Sequence, residues 1–159
     1  MTKTPIALCC AALIAGSTAF LPTDAGSGGT DGIITVVSAY RLTETVERLK
    51  SDIAEKGIMF FSEIDQAKLA GQAGIELRPS VLLVFGNPPL GTQFITANPN
   101  AGLDWPVRLL VYENDKGEVV AAYTDFAWIA RRHGISSRSQ QFAMASKVVG
   151  SITAAVKPK

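Results

Sequence analysis

An apolar segment at the N-terminus decides which part of this chain can form a folded domain. The run from Ile6 to Leu21 is almost wholly apolar or small, and Lys3 is the one charged residue before Asp24. A short cationic start, an apolar stretch and then small residues are typical of a secretory signal peptide. We therefore predict that residues 1–25 are a signal peptide and that the folded domain lies in the rest of the chain.

Small residues offer two cleavage positions, after Ala19 or after Ala25. The alternative is an uncleaved membrane anchor, but the run is shorter than the roughly 20 residues of a spanning helix. We expect an exported protein, periplasmic or secreted, that has no membrane contact after cleavage.

Both cysteines, Cys9 and Cys10, lie inside the predicted signal peptide. Leu8 precedes Cys9, whereas a lipoprotein signal needs a small residue there, so lipidation is not expected. The mature domain then has no disulfide, no thiolate nucleophile and no cysteine-bound metal.

Charge excludes two classes of partner. The chain carries 15 Lys plus Arg against 14 Asp plus Glu, a formal net charge of +1. Apart from Arg131-Arg132 there is no basic cluster, so neither nucleic acid nor an anionic membrane surface is an expected partner. Residues 26–32 read as a flexible glycine-rich leader, and residues 33–159 are long enough for one domain.

Local patterns predict alternating strands and helices. Residues 34–37 are β-branched, and Thr43 offers an N-cap for an amphipathic helix that ends at Gly57. Residues 58–64 read as a second strand, and residues 67–73 as a short helix. Residues 79–85 form an apolar run without alternation, as in a strand covered on both faces.

The C-terminal half adds a hairpin and more helices. Pro88-Pro89 is expected in a turn, followed by a short helix over residues 90–97. Residues 107–112 and 119–123 flank Asn-Asp-Lys-Gly, the strongest hairpin signal in the chain. Helices are predicted over residues 127–133 and 138–156. This order fits an α+β domain: an antiparallel or mixed sheet of about five strands with helices mainly on one face.

His133 is the one histidine, and it follows Arg131-Arg132 at a predicted helix end. The simplest interpretation is a helix C-cap, where a cationic ring suits the helix dipole; a catalytic base or a metal ligand is the alternative. Neither a nucleophile elbow nor a phosphate-binding glycine loop accompanies it, and no metal or cofactor is expected.

Polar residues at the predicted strand ends form the candidate pocket. Each has an ordinary explanation as a helix cap, a turn residue or an ion-pair partner. Together they would bring an arginine, carboxylates and a phenol to one edge of the sheet. The candidate residues are Asp65, Arg78, Asn87, Asp104, Tyr123, Asp125 and His133.

Several motifs in the second half of the chain resemble the DUF302 family. They are Leu77-Arg78-Pro79, Phe85-Gly86-Asn87-Pro88, Leu103-Asp104-Trp105-Pro106 and Tyr123-Thr124-Asp125 ahead of Ala130-Arg131-Arg132-His133-Gly134. The resemblance covers roughly residues 36–156. It implies a TBP-like sheet-and-helix domain, often dimeric, with no established activity. Family members often have Ile-Asp-His where this chain has Ile64-Asp65-Gln66, which disfavours a metal role at this position.

Three functional hypotheses follow. The first is a non-catalytic, homodimeric domain that binds a small polar ligand or a partner protein. The second is an interaction module of the cell envelope with an exposed apolar patch around Trp105, Phe126 and Trp128, although these aromatics fit a core better. The third is an acid/base enzyme using Asp65, Asp104 or Asp125, tuned by Arg78 and Tyr123.

Overall fold

The structure is a computed structural model, and it describes residues 31–158. The predicted signal peptide and its cleavage positions lie outside the described residues, as does most of the predicted leader. Among the described residues, no helix combines the length and apolar character needed to cross a bilayer. In chain order the elements are β1 (Ile33–Val37), α1 (Leu42–Glu55), β2 (Met59–Asp65), α2 (Gln66–Gln72), β3 (Ser80–Gly86), α3 (Pro88–Ala97), a 3-10 helix (Pro99–Leu103), β4 (Val107–Glu113), β5 (Val119–Thr124), α4 (Phe126–Arg132) and α5 (Ser139–Ala154).

The five strands form one antiparallel sheet in the order β1-β5-β4-β3-β2. Leu83 of β3 pairs with Leu109 of β4, which pairs with Tyr123 of β5, which in turn pairs with Ile34 of β1. The α+β class predicted from the sequence is confirmed, and the sheet is antiparallel rather than mixed.

The core lies between one face of this sheet and the helices. Leu83, Leu109 and Val111 are fully buried on that face, opposite Leu49 of α1 and Ile152 of α5. Alternate residues of a strand point to opposite faces, so their sequence neighbours lie on the other side. Helices α1 and α5 cover this side of the sheet, whereas α2 adds no residue to the core cluster and contacts the start of β3, where Gln66 accepts a hydrogen bond from Ser80.

Helix α1 begins differently from the prediction. Its N-cap is Arg41, which makes no side-chain capping bond, and Thr43 lies inside the first turn. The entrance is held instead by Thr45, whose hydroxyl donates to the carbonyl of Tyr40 and lies 2.7 Å from the hydroxyl of Ser38. The predicted stop is confirmed: Gly57 follows the helix with a φ of 65°.

The two prolines begin a helix, so the predicted turn at Pro88-Pro89 is wrong. The side chain of Asn87 accepts a hydrogen bond from the backbone N–H of Leu90 and caps α3. Proline suits the first helical turn because the N–H groups there have no partner within the helix.

Ordered structure begins before Ile33, inside the predicted leader. Gly32 is buried with a φ of 74°, and its carbonyl accepts a hydrogen bond of 2.8 Å from the backbone N–H of Asp125. The ring of Trp128 packs on its Cα, where an added Cβ would lie 2.3 Å from the ring. Gly32 therefore belongs to the domain.

Candidate functional site

The candidate polar residues lie at two opposite ends of the sheet, so the predicted single pocket is wrong. Asp65 ends β2 beside the start of β3, and Arg78 lies just before that start. The other candidates gather where β3 and β5 end and β4 begins. In an antiparallel sheet the end of one strand adjoins the start of the next, and this topology separates the two groups.

Three of the candidates are structural by their contacts. Asp65 caps α2 by accepting from the backbone N–H of Lys68 at 2.8 Å, and Asp125 caps α4 through the N–H groups of Ala127 and Trp128. Asn87 caps α3, as described above. These roles match the simple explanations that the sequence offered for them.

Arg78 pairs with Asp115, which lies in the turn between β4 and β5. The two charged groups are 2.6 Å apart, but both side chains are largely exposed. An exposed ion pair of this kind stabilises a fold little. At the same end of the sheet, Gln66 accepts a hydrogen bond of 2.8 Å from the hydroxyl of Ser80. Gln66 stands where the family resemblance implies a histidine, and its contact in this chain is structural.

Asp104 is the centre of a buried ionic cluster. Its side chain is 4% exposed and its Oδ2 lies 2.6 Å from Nε2 of His133, whose side chain is 5% exposed. The guanidinium of Arg132 donates to both carboxylate oxygens at 3.1 Å, and Arg108 approaches Oδ1 at 3.4 Å. Two guanidinium groups and an imidazole thus surround one carboxylate.

His133 connects three segments of the chain. It is the C-cap residue of α4, as the sequence indicated, and its carbonyl accepts a hydrogen bond of 2.9 Å from the side chain of Asn98 at the start of the 3-10 helix. Its imidazole reaches Asp104 at the end of that helix. The ring therefore fastens α4 to the loop that leads into β4.

Tyr123 faces the core from β5 and is buried. Burial raises the pKa of its phenol above the ordinary value of 10.0, and the nearby carboxylate of Asp125 acts in the same direction. A hydrogen bond with Thr153 of α5 opposes this shift without cancelling it. The phenol is a neutral hydrogen-bonding group in the core.

The three candidate carboxylates all make structural contacts. Asp65, Asp104 and Asp125 share no hydrogen-bond partner, and each carboxylate is occupied by a cap or by the ionic cluster. Among residues 31–158 no three His, Cys, Asp or Glu side chains are grouped to hold a metal ion. The sequence missed Arg108 and Arg132 as partners of Asp104, although Arg131-Arg132 before His133 was a visible signal.

The aromatic residues named for an exposed patch do not form one. Phe126 is 4% exposed and belongs to the core, while Trp105 and Trp128 are half-buried. The edge of Trp105 contacts Phe61 with ring centroids 6.2 Å apart, and Arg132 lies over Trp128 at 5.2 Å. The favoured interpretation of these residues as core or core-edge is supported.

The second face of the sheet carries an apolar surface. The prediction that β3 is covered on both faces is therefore wrong within the described chain. This surface, here called the open sheet face, consists of the strand residues that alternate with the core residues. None of its apolar members packs against the core cluster. Its partly or fully exposed apolar residues are Ile64, Leu82, Val84 and Leu110, whereas Val120 and Ala122, which alternate onto the same face, are already buried.

The open sheet face is almost free of charge. Within the five strands, Arg108 near one end is the charged residue that alternates onto it. Ile33 and Val37, both 45% exposed, extend the apolar surface across β1. Contiguous exposed apolar surfaces are typical of interaction sites in small domains.

Known proteins similar to this chain include proteins named as fluoride-specific ion channels. A protein of Brucella suis named fluoride-specific ion channel FluC 1 is 35% identical over 122 residues, which is 77% of this chain and 48% of the relative. The protein of the same name from Brucella abortus is also 35% identical, with 45% of its length covered. The chain thus spans about half the length of the curated relatives it matches.

A solved structure shares the fold. The crystal structure of an uncharacterized conserved protein, DUF302, from Bacillus stearothermophilus superposes with a TM-score of 0.72 at 18% sequence identity. The match covers 79% of this chain and 98% of the other. This likeness bears on the fold.

A family model, described as domain of unknown function DUF302, matches residues 34–157, nearly all of the described domain. The chain belongs to the DUF302 family.

Proposed function

We propose that this protein is a non-catalytic binding domain that associates with a second copy of itself through the open sheet face. One observation carries the proposal. β3 and β5 are apolar at almost every position, as in strands buried on both faces, yet the helices that build the core cluster lie on one face. A cover from outside the domain would complete the burial of Leu82, Val84 and Leu110, which are half-buried in the single chain.

A second copy suits this surface in shape and size. Antiparallel sheets pack face to face in many proteins, about 10 Å apart. Five strands about 4.8 Å apart and about 20 Å long present roughly 500 Å² per copy. Two such faces bury about 1,000 Å² in total, which is about the minimum for a biological interface.

Charge also favours a second copy. A two-fold interface brings the same surface together twice, so a charged face would oppose itself. The open sheet face has Arg108 near one end, and that guanidinium is already near Asp104. Its centre, around Leu110 and Ala122, is apolar and can be buried without leaving an unpaired charge.

Sedimentation velocity over a concentration series tests the proposal. The wild-type protein is expected to sediment as a dimer. Leu110→Lys should weaken association by at least about 100-fold, because burying an unpaired ammonium costs several kcal/mol. Ala143→Lys is the matched control, since Ala143 is exposed on α5 on the opposite side of the molecule. A wild-type monomer, or equal loss of association in both variants, would refute the proposal.

We also propose that the protein is exported and that its apolar N-terminal segment is removed. The run from Ile6 to Leu21, with Lys3 before it and small residues after it, supports this. Intact-mass spectrometry of the exported protein should find a chain that begins at residue 20 or residue 26. Exported protein that begins at Met1 would contradict cleavage.

The envelope-module hypothesis has separate support from the relatives. The matched region makes up about half of proteins named as fluoride-specific ion channels. A domain joined to a channel in one protein can act as its binding partner when it is separate. Biolayer interferometry against the Brucella suis relative without its matched region tests this candidate; saturable binding that Leu110→Lys removes would place the channel, rather than a second copy, on the open sheet face.

A further inference from the structure

We propose that a cleft between the sheet and helices α3 and α5 binds an aliphatic carboxylate, with the end of the chain in the inner part of the cleft, the rest of the chain along the outer groove and the carboxylate at Lys147. The outer groove has a volume of about 440 Å³, within the usual size of small-molecule sites, and the inner part adds about 40 Å³. The walls of the inner part are almost wholly apolar and include Phe85, Leu90, Phe94, Trp105, Phe126 and Val149.

Trp105 forms one wall of the inner cleft in a position that requires two glycines. Its indole lies so close to Gly91 that a Cβ there would be 1.9 Å from Nε1, and a Cβ on Gly86 would be 3.1 Å from the same atom. The preceding residue, Asp104, is fixed by the buried ionic cluster. The wall is therefore anchored in the folded domain.

The opposite wall is also firmly packed. Phe94 of α3 stacks on Phe142 of α5 with ring centroids 4.1 Å apart. Rigid aromatic walls favour a ligand that needs contact area rather than many hydrogen bonds. An unbranched hydrocarbon chain meets this requirement.

The cleft continues outward into a groove with a cationic rim. Ile58, Leu90 and Val148 line both the inner cleft and the outer groove. The groove then reaches Lys56 and Lys147, and neither part is lined by an acidic residue. An apolar channel that ends at cations is complementary to an apolar anion.

The two lysines differ in their availability. Nζ of Lys56 lies 2.6 Å from a carboxylate oxygen of Asp52, so its charge is already paired. Lys147 makes no ion pair with any of residues 31–158. Asn87 also lines the groove; its oxygen caps α3, and its NH₂ group makes no hydrogen bond within the same residues. Lys147 and Asn87 thus offer a cation and a neutral donor to a carboxylate.

This inference is independent of self-association, because the cleft lies on the helix side of the sheet and the open sheet face on the other. A monomeric protein could bind the carboxylate, and a dimer could fail to bind it. Sedimentation measures self-association, and the fluorescence experiment below measures carboxylate binding.

Quenching of Trp105 fluorescence measures occupancy directly. The chain has two tryptophans, and Trp128 does not line the cleft. Trp128→Phe therefore leaves Trp105 as the reporter. Titration with ω-bromodecanoate, below its micelle-forming concentration, should give saturable quenching, and ω-bromodecanol should bind more weakly.

Two substitutions separate the contributions of charge and space. Lys147→Gln should weaken decanoate binding about fivefold, the size expected for an exposed charge pair, while Lys116→Gln in the exposed β4–β5 turn should leave it unchanged. Val148→Trp should fill the shared wall and abolish binding. If Val148→Trp fails to fold, the comparison of Lys147→Gln with Lys116→Gln decides. Absence of saturable quenching, or equal affinity for the acid and the alcohol, would overturn the proposal.

Discussion

Nε2 of His133 lies 2.6 Å from Oδ2 of Asp104, and both side chains are almost completely buried. Because a buried carboxylate needs partners, Arg132 and Arg108 complete its surroundings. The contact joins the C-terminus of α4 to the segment that carries Trp105. We therefore infer that this cluster positions the end of the sheet and Trp105, which forms one wall of the cleft.

Asp104→Asn tests the energetic part of this role. The variant keeps the shape of the side chain but loses the negative charge, so we expect a loss of about 2–3 kcal/mol in the free energy of unfolding. Asp115→Asn is the control, because it removes the carboxylate of an exposed ion pair, and it should leave the urea midpoint nearly unchanged. Equal midpoints for wild type and Asp104→Asn would contradict the assignment.

The buried phenol of Tyr123 leads us to expect that the folded protein loses stability at high pH. Its pKa is raised in the folded state, mainly by burial, so the folded protein holds this proton more tightly than the unfolded chain. The stabilisation is fully present below the ordinary pKa of 10.0 and is lost as pH rises through the folded-state pKa.

Urea unfolding between pH 9 and 11 measures this effect. The free energy of unfolding should fall with pH in the wild type, and Tyr123→Phe should reduce the slope. Tyr40→Phe is the comparison, because it removes the phenol of a half-buried residue rather than one from the buried core. The same slope in Tyr123→Phe and in wild type would be inconsistent with the buried phenol.

Alanine substitutions at Gly32 and Gly117 separate the cost of backbone strain from the cost of lost packing space. Both have a positive φ, 74° and 75°, but the Cα of Gly117 has open space around it whereas that of Gly32 touches Trp128. Gly117→Ala should cost about 1 kcal/mol through the backbone alone. Gly32→Ala should cost about 2 kcal/mol more, because the Trp128 ring must move. Equal costs, measured as urea midpoints, would show that Gly32 lies outside the domain.

Much of the fold followed from local signals. The Asn-Asp-Lys-Gly turn between two apolar runs predicts the β4–β5 hairpin, and the spacing of Val46, Leu49 and Ile53 predicts α1. These features depend on neighbouring residues. The start of α3 was mispredicted because Pro88-Pro89 is compatible with both a turn and a first helical turn, and the capping contact of Asn87 decides between them.

The contacts of the candidate site were harder to predict from the sequence than the fold. Asp104 and His133 are 29 positions apart, and no spacing rule connects them. The open sheet face was misread for a physical reason: an apolar run such as Val81-Leu82-Leu83-Val84 indicates burial on both faces without saying which molecule provides the cover. The predicted polar pocket is wrong because β3 and β4 run antiparallel, which places Arg78 and Asp104 at opposite ends of the sheet, and this pairing is not visible in the local sequence.

Isotope-filtered nuclear Overhauser spectroscopy on an equal mixture of ¹³C-labelled and unlabelled protein tests self-association through the open sheet face most directly. The predicted result is intermolecular contacts from the methyl groups of Leu82, Val84 and Leu110, with none from the core methyl groups of Val149 and Ile152. Intermolecular contacts confined to the helix side, or none at concentrations where sedimentation shows a dimer, would contradict the proposal.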